Sequence, residues 1–183
     1  MSSTAQESLT SAPAGIWRLD PVHSSIGFEV SYLAGTFKGE FREVEAELAV
    51  TEERARLEGR AKVASVDVKD ENLAAHLQSP DFFDAELYPE LRFAADEIRL
   101  DGDSVSVEGE ISIKGVTRPV ALAGTVAAPI TDPYGNERLG LTVSTVVDRT
   151  DFGIEWNMPL PTGRQALSNE VTILGELFFV KGA

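Results

Sequence analysis

Cysteine is absent from this 183-residue chain. Its absence excludes disulfides, thiol catalysis and thiolate metal sites, and leaves the redox compartment open. Histidine is nearly absent. His23 and His76 are the only two, with no H-x-x-x-H or comparable spacing. Transition-metal sites gather two or three such ligands, so neither a histidine metal site nor any other cofactor is expected. Basic residues are scarce: 16 Lys and Arg stand against 30 Asp and Glu, for a net charge of −14. Such a chain repels phosphate backbones and anionic lipid surfaces, which argues against a nucleic-acid partner or a peripheral-membrane role. No apolar run approaches the roughly 20 residues of a membrane span, so stable membrane insertion is not expected. Neither G-x-x-x-x-G-K-[ST], nor G-x-G-x-x-G after a strand, nor G-x-S-x-G occurs, which leaves nucleotide binding and serine hydrolysis without a motif. Residues 1–14 are rich in Ser, Thr, Ala and Gln, with no basic cluster and no apolar core. They read as a disordered tail rather than a secretory signal, and 15–183 as one domain, expected in the cytoplasm.

What the chain does have is strict alternation. In Val105-Ser106-Val107-Glu108-Gly109-Glu110-Ile111-Ser112-Ile113 every odd position is apolar or Gly and every even one is polar. The same phase recurs in Val44–Leu48, Leu57–Val63 and Val171–Leu177. Side chains alternate across a strand, so one face of each is buried and the other wet. Gly59, Gly109, Gly124 and Gly175 fall in the apolar phase. Glycine there either leaves room or lets a strongly curved sheet bend, and both readings point to a closed barrel with space inside. Strands are expected at about 15–20, 24–33, 36–50, 56–68, 91–100, 104–114, 119–129, 137–148 and 170–180. Turn signals such as Asp101-Gly102 and Asp132-Pro133-Tyr134-Gly135-Asn136 separate them. Near-continuous strands joined by short turns predict an all-β, antiparallel up-and-down barrel.

One segment breaks the pattern. Asp70 to Tyr88 carries Leu73 and Leu77 at helical spacing, Asp70 as an N-cap, Pro80 as a stop, then the Phe82-Phe83 pair. It reads either as a lid on one barrel mouth or as a connector whose Phe pair plugs the core. Asp101-Gly102-Asp103-Ser104 reads as a hairpin turn, since downstream calcium-ligand spacing is missing. His23 and Ser24 are adjacent on a strand and point to opposite faces, so His23 does not activate Ser24. Arg149, between Asp148 and Asp151, reads as a structural ion pair at a strand end, or else as a cation meeting a head group. Both His23 and Arg149 are expected to be structural.

Four ordered segments resemble the YceI-like family, a lipocalin-like group associated with polyisoprenoid binding. They are Trp17-Arg18-Leu19-Asp20-Pro21-Val22-His23-Ser24 through Phe28, Leu77-Gln78-Ser79-Pro80-Asp81-Phe82-Phe83-Asp84 with Tyr88-Pro89 and Phe93, Gly109 through Lys114-Gly115-Val116-Thr117-Arg118-Pro119-Val120, and Arg149-Thr150-Asp151-Phe152-Gly153. Where the family usually has a basic residue and His after Phe28, this chain has Ser31 and Tyr32. The resemblance implies an elongated apolar barrel that holds a long isoprenoid chain or a prenylated quinone. A free polyprenyl tail forgoes roughly 0.8 kcal/mol for every CH₂ left in water, so a soluble carrier encloses nearly all of it.

The expected function is therefore non-enzymatic binding, sequestration or transport of an isoprenoid-type lipid. Phe28, Val44, Leu48, Val63, Phe93, Val107, Ile111, Leu122, Leu141, Ile173 and Leu177 are expected to line the interior, with Tyr32, Phe82, Phe83 and Trp156 at the mouth. Two rival readings stand beside it. One is an enzyme acting on a small apolar substrate with a carboxylate or His23 as acid–base; the other is a solid-barrel stress-response or interaction module. The last strand is apolar on its outward phase too, at Leu174, Phe178 and Val180. A strand apolar on both faces is covered on both, which predicts a homodimer or an internal cover.

Overall fold

The computed structural model describes residues 7–8 and 13–182. Within them the alternation of apolar and polar residues becomes alternation of burial along β1 (Glu7–Ser8), β2 (Gly15–Leu19), β3 (Ser25–Tyr32), β4 (Gly35–Phe41), β5 (Val44–Val50), β6 (Ala55–Lys62), β7 (Val66–Asp67), β8 (Glu90–Asp101), β9 (Ser104–Ile113), β10 (Val116–Thr131), β11 (Glu137–Asp148) and β12 (Leu167–Lys181). One helix, α1 (Glu71–Gln78), interrupts the β pattern. Most of the expected tail, 1–6 and 9–12, lies outside the described residues, while Glu7 and Ser8 pair with Leu100 and Arg99 of β8.

All pairings are antiparallel, and β11 pairs with β12 to close the sheet. β2 and β3 lie end to end along β12, β2 against Phe179–Lys181 and β3 against Leu167–Glu176. β4 with β5, and β6 with β7, are likewise halves of one strand. So counted, the barrel has eight strands, up and down as expected. The expected continuous strand 36–50 is broken at Arg42–Glu43 and 56–68 at a 3-10 turn, Val63–Ser65. The breaks face each other: Arg42 N–H donates to the Ser65 carbonyl (3.1 Å) and Lys62 N–H to that of Glu43 (3.0 Å). Strands that bend sharply at one level stay bonded across the bend. The first strand breaks at Pro21, which has no N–H to give a ladder. There the Ser24 hydroxyl accepts the Phe178 N–H (2.9 Å) and Asp20 N–H donates to the Phe178 carbonyl (2.7 Å). The Asp-Pro-Val-His-Ser motif is thus a repaired strand break.

The interior divides into two levels. At the base, Trp17, Leu48, Val107, Leu141 and Phe179 are almost completely inaccessible and pack with Val50, Leu57, Ile98, Val105 and Leu139. At the other end a second cluster gathers under α1: Val30, Phe41, Ala61, Leu77, Phe82, Ile113, Phe152, Ile154 and Leu167, with Phe28, Phe83 and Trp156 against it. The choice between a filled and a hollow barrel is resolved by height: the base is filled and the upper half is not.

The glycines also divide. A Cβ at Gly124 would collide with the carbonyl of Thr142 in β11. One at Gly109 would collide with the Ala94 carbonyl and lie 2.7 Å from the Ala95 Cβ, beside the register shift between Ala95 and Glu97. These two serve close backbone approach in a coiled sheet, not cavity space. At Gly59 and Gly175 the nearest atoms to a Cβ stand at an ordinary 3.5 Å, and both glycines border the upper cavity.

On the outer rim of the base a polar network ties β2, β10 and β11 together. Asp20 accepts from Arg138 (3.0 Å) and bonds His23 Nδ1 (2.7 Å), and Arg138 Nε donates to Asp132 (2.7 Å). The Arg138 hydrogen bond, with the Asn136 and Tyr134 N–H groups, holds the Asp132 carboxyl down at about 2.

Two outcomes follow from this geometry. Gly109→Ala and Gly124→Ala each lower stability by about 1–3 kcal/mol in thermal or denaturant melts, the range for overpacking a close contact. Because the folded-state pKa of Asp132 is depressed from 3.8 to about 2, its contribution is complete above pH 3.8 and is lost as pH falls towards 2. Melts across that window show the loss in the wild type, and Asp132→Asn flattens it.

Candidate functional site

The upper half of the barrel encloses a cavity of about 430 Å³, within the roughly 300–1,000 Å³ typical of small-molecule sites. Its walls are the inward phase of the strands: Ile26, Phe28 and Val30 from β3, Phe37 and Phe41 from β4, Leu91 and Phe93 from β8, Ile111 and Ile113 from β9, Val143, Thr145 and Val147 from β11, and Val171, Ile173 and Leu177 from β12. Gly59 and Gly175 widen it by the side chains they lack.

The roof is the segment that breaks the β pattern. Asp70 caps α1 by accepting the Leu73 N–H (3.0 Å), and the chain past Pro80 folds back so that Phe83 N–H donates to the Leu77 carbonyl (2.9 Å). This drops Phe83 against Phe28 and Phe41, with ring centroids at 6.2 and 5.7 Å, while Phe28 also meets Phe37 and Phe41. A second aromatic group joins the roof to the loop before β12: His76 stands edge-on to Phe82 and Trp156, each at 4.9 Å. Both sequence readings of this segment therefore hold in part, since it covers the mouth and its Phe pair fills space beneath. It is anchored from the β9–β10 hairpin. Lys114 and Gly115, both at positive φ, form the two-residue loop between paired Ile113 and Val116. Lys114 Nζ donates to the Pro80 carbonyl (2.6 Å), and Gly115 lies so close to the Tyr88 ring that a Cβ would sit 2.6 Å from it.

Of the expected lining residues, Phe28, Phe93, Ile111, Leu122, Ile173 and Leu177 border the cavity, as do the expected mouth residues Tyr32, Phe82, Phe83 and Trp156. Leu48, Val107 and Leu141 do not. They are inward, but at the base, packed in the same cluster as Trp17 and Phe179. Val63 is buried in the 3-10 turn beside the wall, and Val44 packs at the strand break without reaching the void. Sequence reasoning missed Phe37 and Phe41, whose signal was their alternation with Gly39 in β4, and Val30, Val147, Phe152, Ile154 and Leu167. His23 lies outside the cavity with its side chain 65% exposed, so it does not serve as an acid–base inside the barrel. Among the described residues no three His, Asp or Glu side chains are placed to hold a metal.

Polar side chains reach the cavity at Tyr32, His76, Thr145 and Arg149. Arg60 and Arg92 border it too, with side chains turned largely to solvent. Arg149 is the notable one: it is buried, 5% exposed. The expected ion pair is not formed, because among the described residues no carboxylate lies in salt-bridge contact with it, and Asp148 instead accepts from Thr150. The guanidinium donates to the carbonyls of Ser168 (2.9 Å), Ile154 (2.9 Å) and Trp156 (2.8 Å). Burial pushes its pKa below the ordinary arginine value, with the Asp148 charge opposing. A fork of fixed donors thus pins the segment that carries Ile154 and Trp156 to the start of β12.

Arg149→Met leaves those carbonyls without donors in a buried site, which costs about 2 kcal/mol or more in denaturant melts. Arg149→Lys recovers only part of this, because a single ammonium does not reproduce the fork.

Comparison with known proteins agrees with this geometry. The YceI-like domain model matches residues 17–179. A UPF0312 protein of Pseudomonas putida W619 is 31% identical over 163 residues, covering 83% of each chain. Among solved structures, Burkholderia cenocepacia BcnA superposes with a TM-score of 0.71 at 20% identity, over 87% of this chain and 98% of that one. A polyisoprenoid binding domain from Saccharophagus degradans, implicated in plant cell wall breakdown, superposes with a TM-score of 0.70 at 15% identity, over 91% and 98%. With its closed barrel, roofed cavity and all four motifs inside the matched span, this chain belongs to the YceI-like domain family.

Proposed function

We propose that this protein binds and carries, or sequesters, an isoprenoid-type lipid, without catalysing a reaction on it, and that the apolar chain lies in the upper cavity with its polar end towards Tyr32 and His76. The observation that carries the reading is the cavity itself: about 430 Å³ walled almost wholly by aliphatic and aromatic side chains. Burying one CH₂ there gains about 0.8 kcal/mol, so a branched hydrocarbon tail accumulates affinity quickly with no polar contact at all. The polyisoprenoid binding domain of Saccharophagus degradans, which shares the fold, supports the choice of ligand class. Among the described residues no helix is long and apolar enough to cross a membrane.

The reading extends to a twofold pair of chains. Phe178 and Leu174 remain 45% and 36% exposed on the outward face of β12, beside Val146 at 58%, so neither α1 nor Trp156 covers them. This stripe is the surface on which two copies would meet.

The test is mass spectrometry of an organic extract of the purified protein, with light scattering on the same preparation. The expected finds are a stoichiometric prenyl-chain lipid and the mass of a dimer. Gly175→Val, which narrows the cavity where a Cβ has ordinary room, is expected to reduce the extracted lipid several-fold while lowering stability by less than Gly124→Ala does. An extract with no lipid, from a protein that also takes up none when offered it, contradicts the carrier reading.

A further inference from the structure

The mouth has two unlike sides. The lid side is acidic, with Glu71, Asp81 and Glu86 among its residues. The other side is formed by the β3–β4 hairpin tip, Ser31 to Phe37, and the loop from Trp156 to Leu167. They are joined backbone to backbone: Leu33 N–H donates to the Ala166 carbonyl and Ala166 N–H to the Met158 carbonyl, both at 2.9 Å. Tyr32, Trp156 and Leu167 of these segments border the cavity, so the pair makes a lip continuous with the apolar interior.

This lip carries no carboxylate. At the chain's average of 30 in 183 residues, about three would fall on these nineteen. Its only charge is Arg164, whose side chain makes no hydrogen bond or ion pair among the described residues. The nearest acids in sequence, Glu29, Glu40, Glu155 and Glu170, lie just beyond its ends. Two large apolar side chains point outward from it, Leu33 at 58% and Met158 at 43% exposure. Leu33 holds φ at +52° in a two-residue hairpin loop, the position where Gly is favoured and a bulky residue is strained. At 58% exposure its side chain buries little within the fold to offset that strain.

We propose that this lip is a docking surface for a lipid bilayer, where Leu33 and Met158 enter the acyl region and Arg164 meets lipid phosphate while the mouth exchanges its ligand. The inference rests on the carrier reading, since a ligand that water does not dissolve must be exchanged with an apolar phase. The net charge of −14 argues against a peripheral role on anionic lipid, so the surface met is a zwitterionic one, touched by the carboxylate-free lip alone, and the acidic lid keeps that contact one-sided and reversible. Charges more than about 10 Å from the lip are screened at physiological salt, and of the nearer acids Glu29 is paired with Lys38. Two apolar side chains and one cation give weak attachment, not insertion.

The test is sedimentation with sucrose-loaded phosphatidylcholine vesicles, using the full chain and no added ligand. The double variant Leu33→Asn/Met158→Gln keeps the fold, because Asn adopts positive φ readily, and a thermal melt checks this. The wild type is expected to partition onto vesicles, and the double variant about tenfold less, from the lost burial of two apolar side chains. Affinity for a fluorescent isoprenoid probe in vesicle-free solution is expected to be unchanged, because neither residue borders the cavity. Three results overturn the proposal: no vesicle association by the wild type, equal association by both proteins, or a lip-dependent dimer that ignores vesicles. Failure of the carrier reading looks different, as no probe uptake by a wild type that still associates with vesicles.

Discussion

Closure of the sheet by β11 and β12 is the constraint on which the rest depends. An open sheet adjusts its inner face by shifting what packs against it. A closed one has an interior fixed by strand number and tilt, and the inward side chains either fill that volume or leave it empty. Here they do both, at different heights. Trp17 and Phe179 converge at the base and, with Leu48, Val107 and Leu141, leave no space. Above Leu57, Phe93 and Leu177 the inward positions include Ala46, Gly59 and Gly175, and the remaining volume becomes the cavity. Division of labour along one axis is the result. The base supplies the cooperative core, and the upper half accepts a void that the base helps to stabilise.

A void needs a fixed roof, or the walls collapse into it. The mouth is held from three directions. Lys114 reaches the Pro80 carbonyl, Tyr88 packs on Gly115, and Arg149 gathers the carbonyls of Ile154, Trp156 and Ser168. Each tether starts from or ends on one of the segments that mark the family. The aromatic rings they position, Phe82, Phe83 and Trp156, then close the cavity with large flat surfaces and one exposed edge at Tyr32.

Alternation made the strands and their inward phase legible, and with them the barrel. It carried no information on height. Val107 and Ile111 share one strand face and one phase, yet Val107 is sealed in the base and Ile111 borders the void. Only the convergence of Trp17 and Phe179 from strands far apart in sequence separates the two. The glycines show the same limit: Gly109 and Gly124 are set by carbonyls of neighbouring strands, Gly59 and Gly175 by empty space, and no pattern within a single strand tells these cases apart. Arg149 was legible as structural from its place beside a strand end. Its partners were not, because backbone carbonyls leave no trace in the sequence.

The central claim is that the hollow is bounded below by a solid core. Fluorescence-displacement titrations with prenyl alcohols of increasing chain length test it most directly. The expected result is affinity rising with each added five-carbon unit, by roughly fourfold for every CH₂ equivalent buried, while the chain still has cavity to fill, then a plateau at the length where the chain meets the Leu57–Phe93–Leu177 floor. Affinity that rises without a break through the longest chains, or that ignores length altogether, would contradict it.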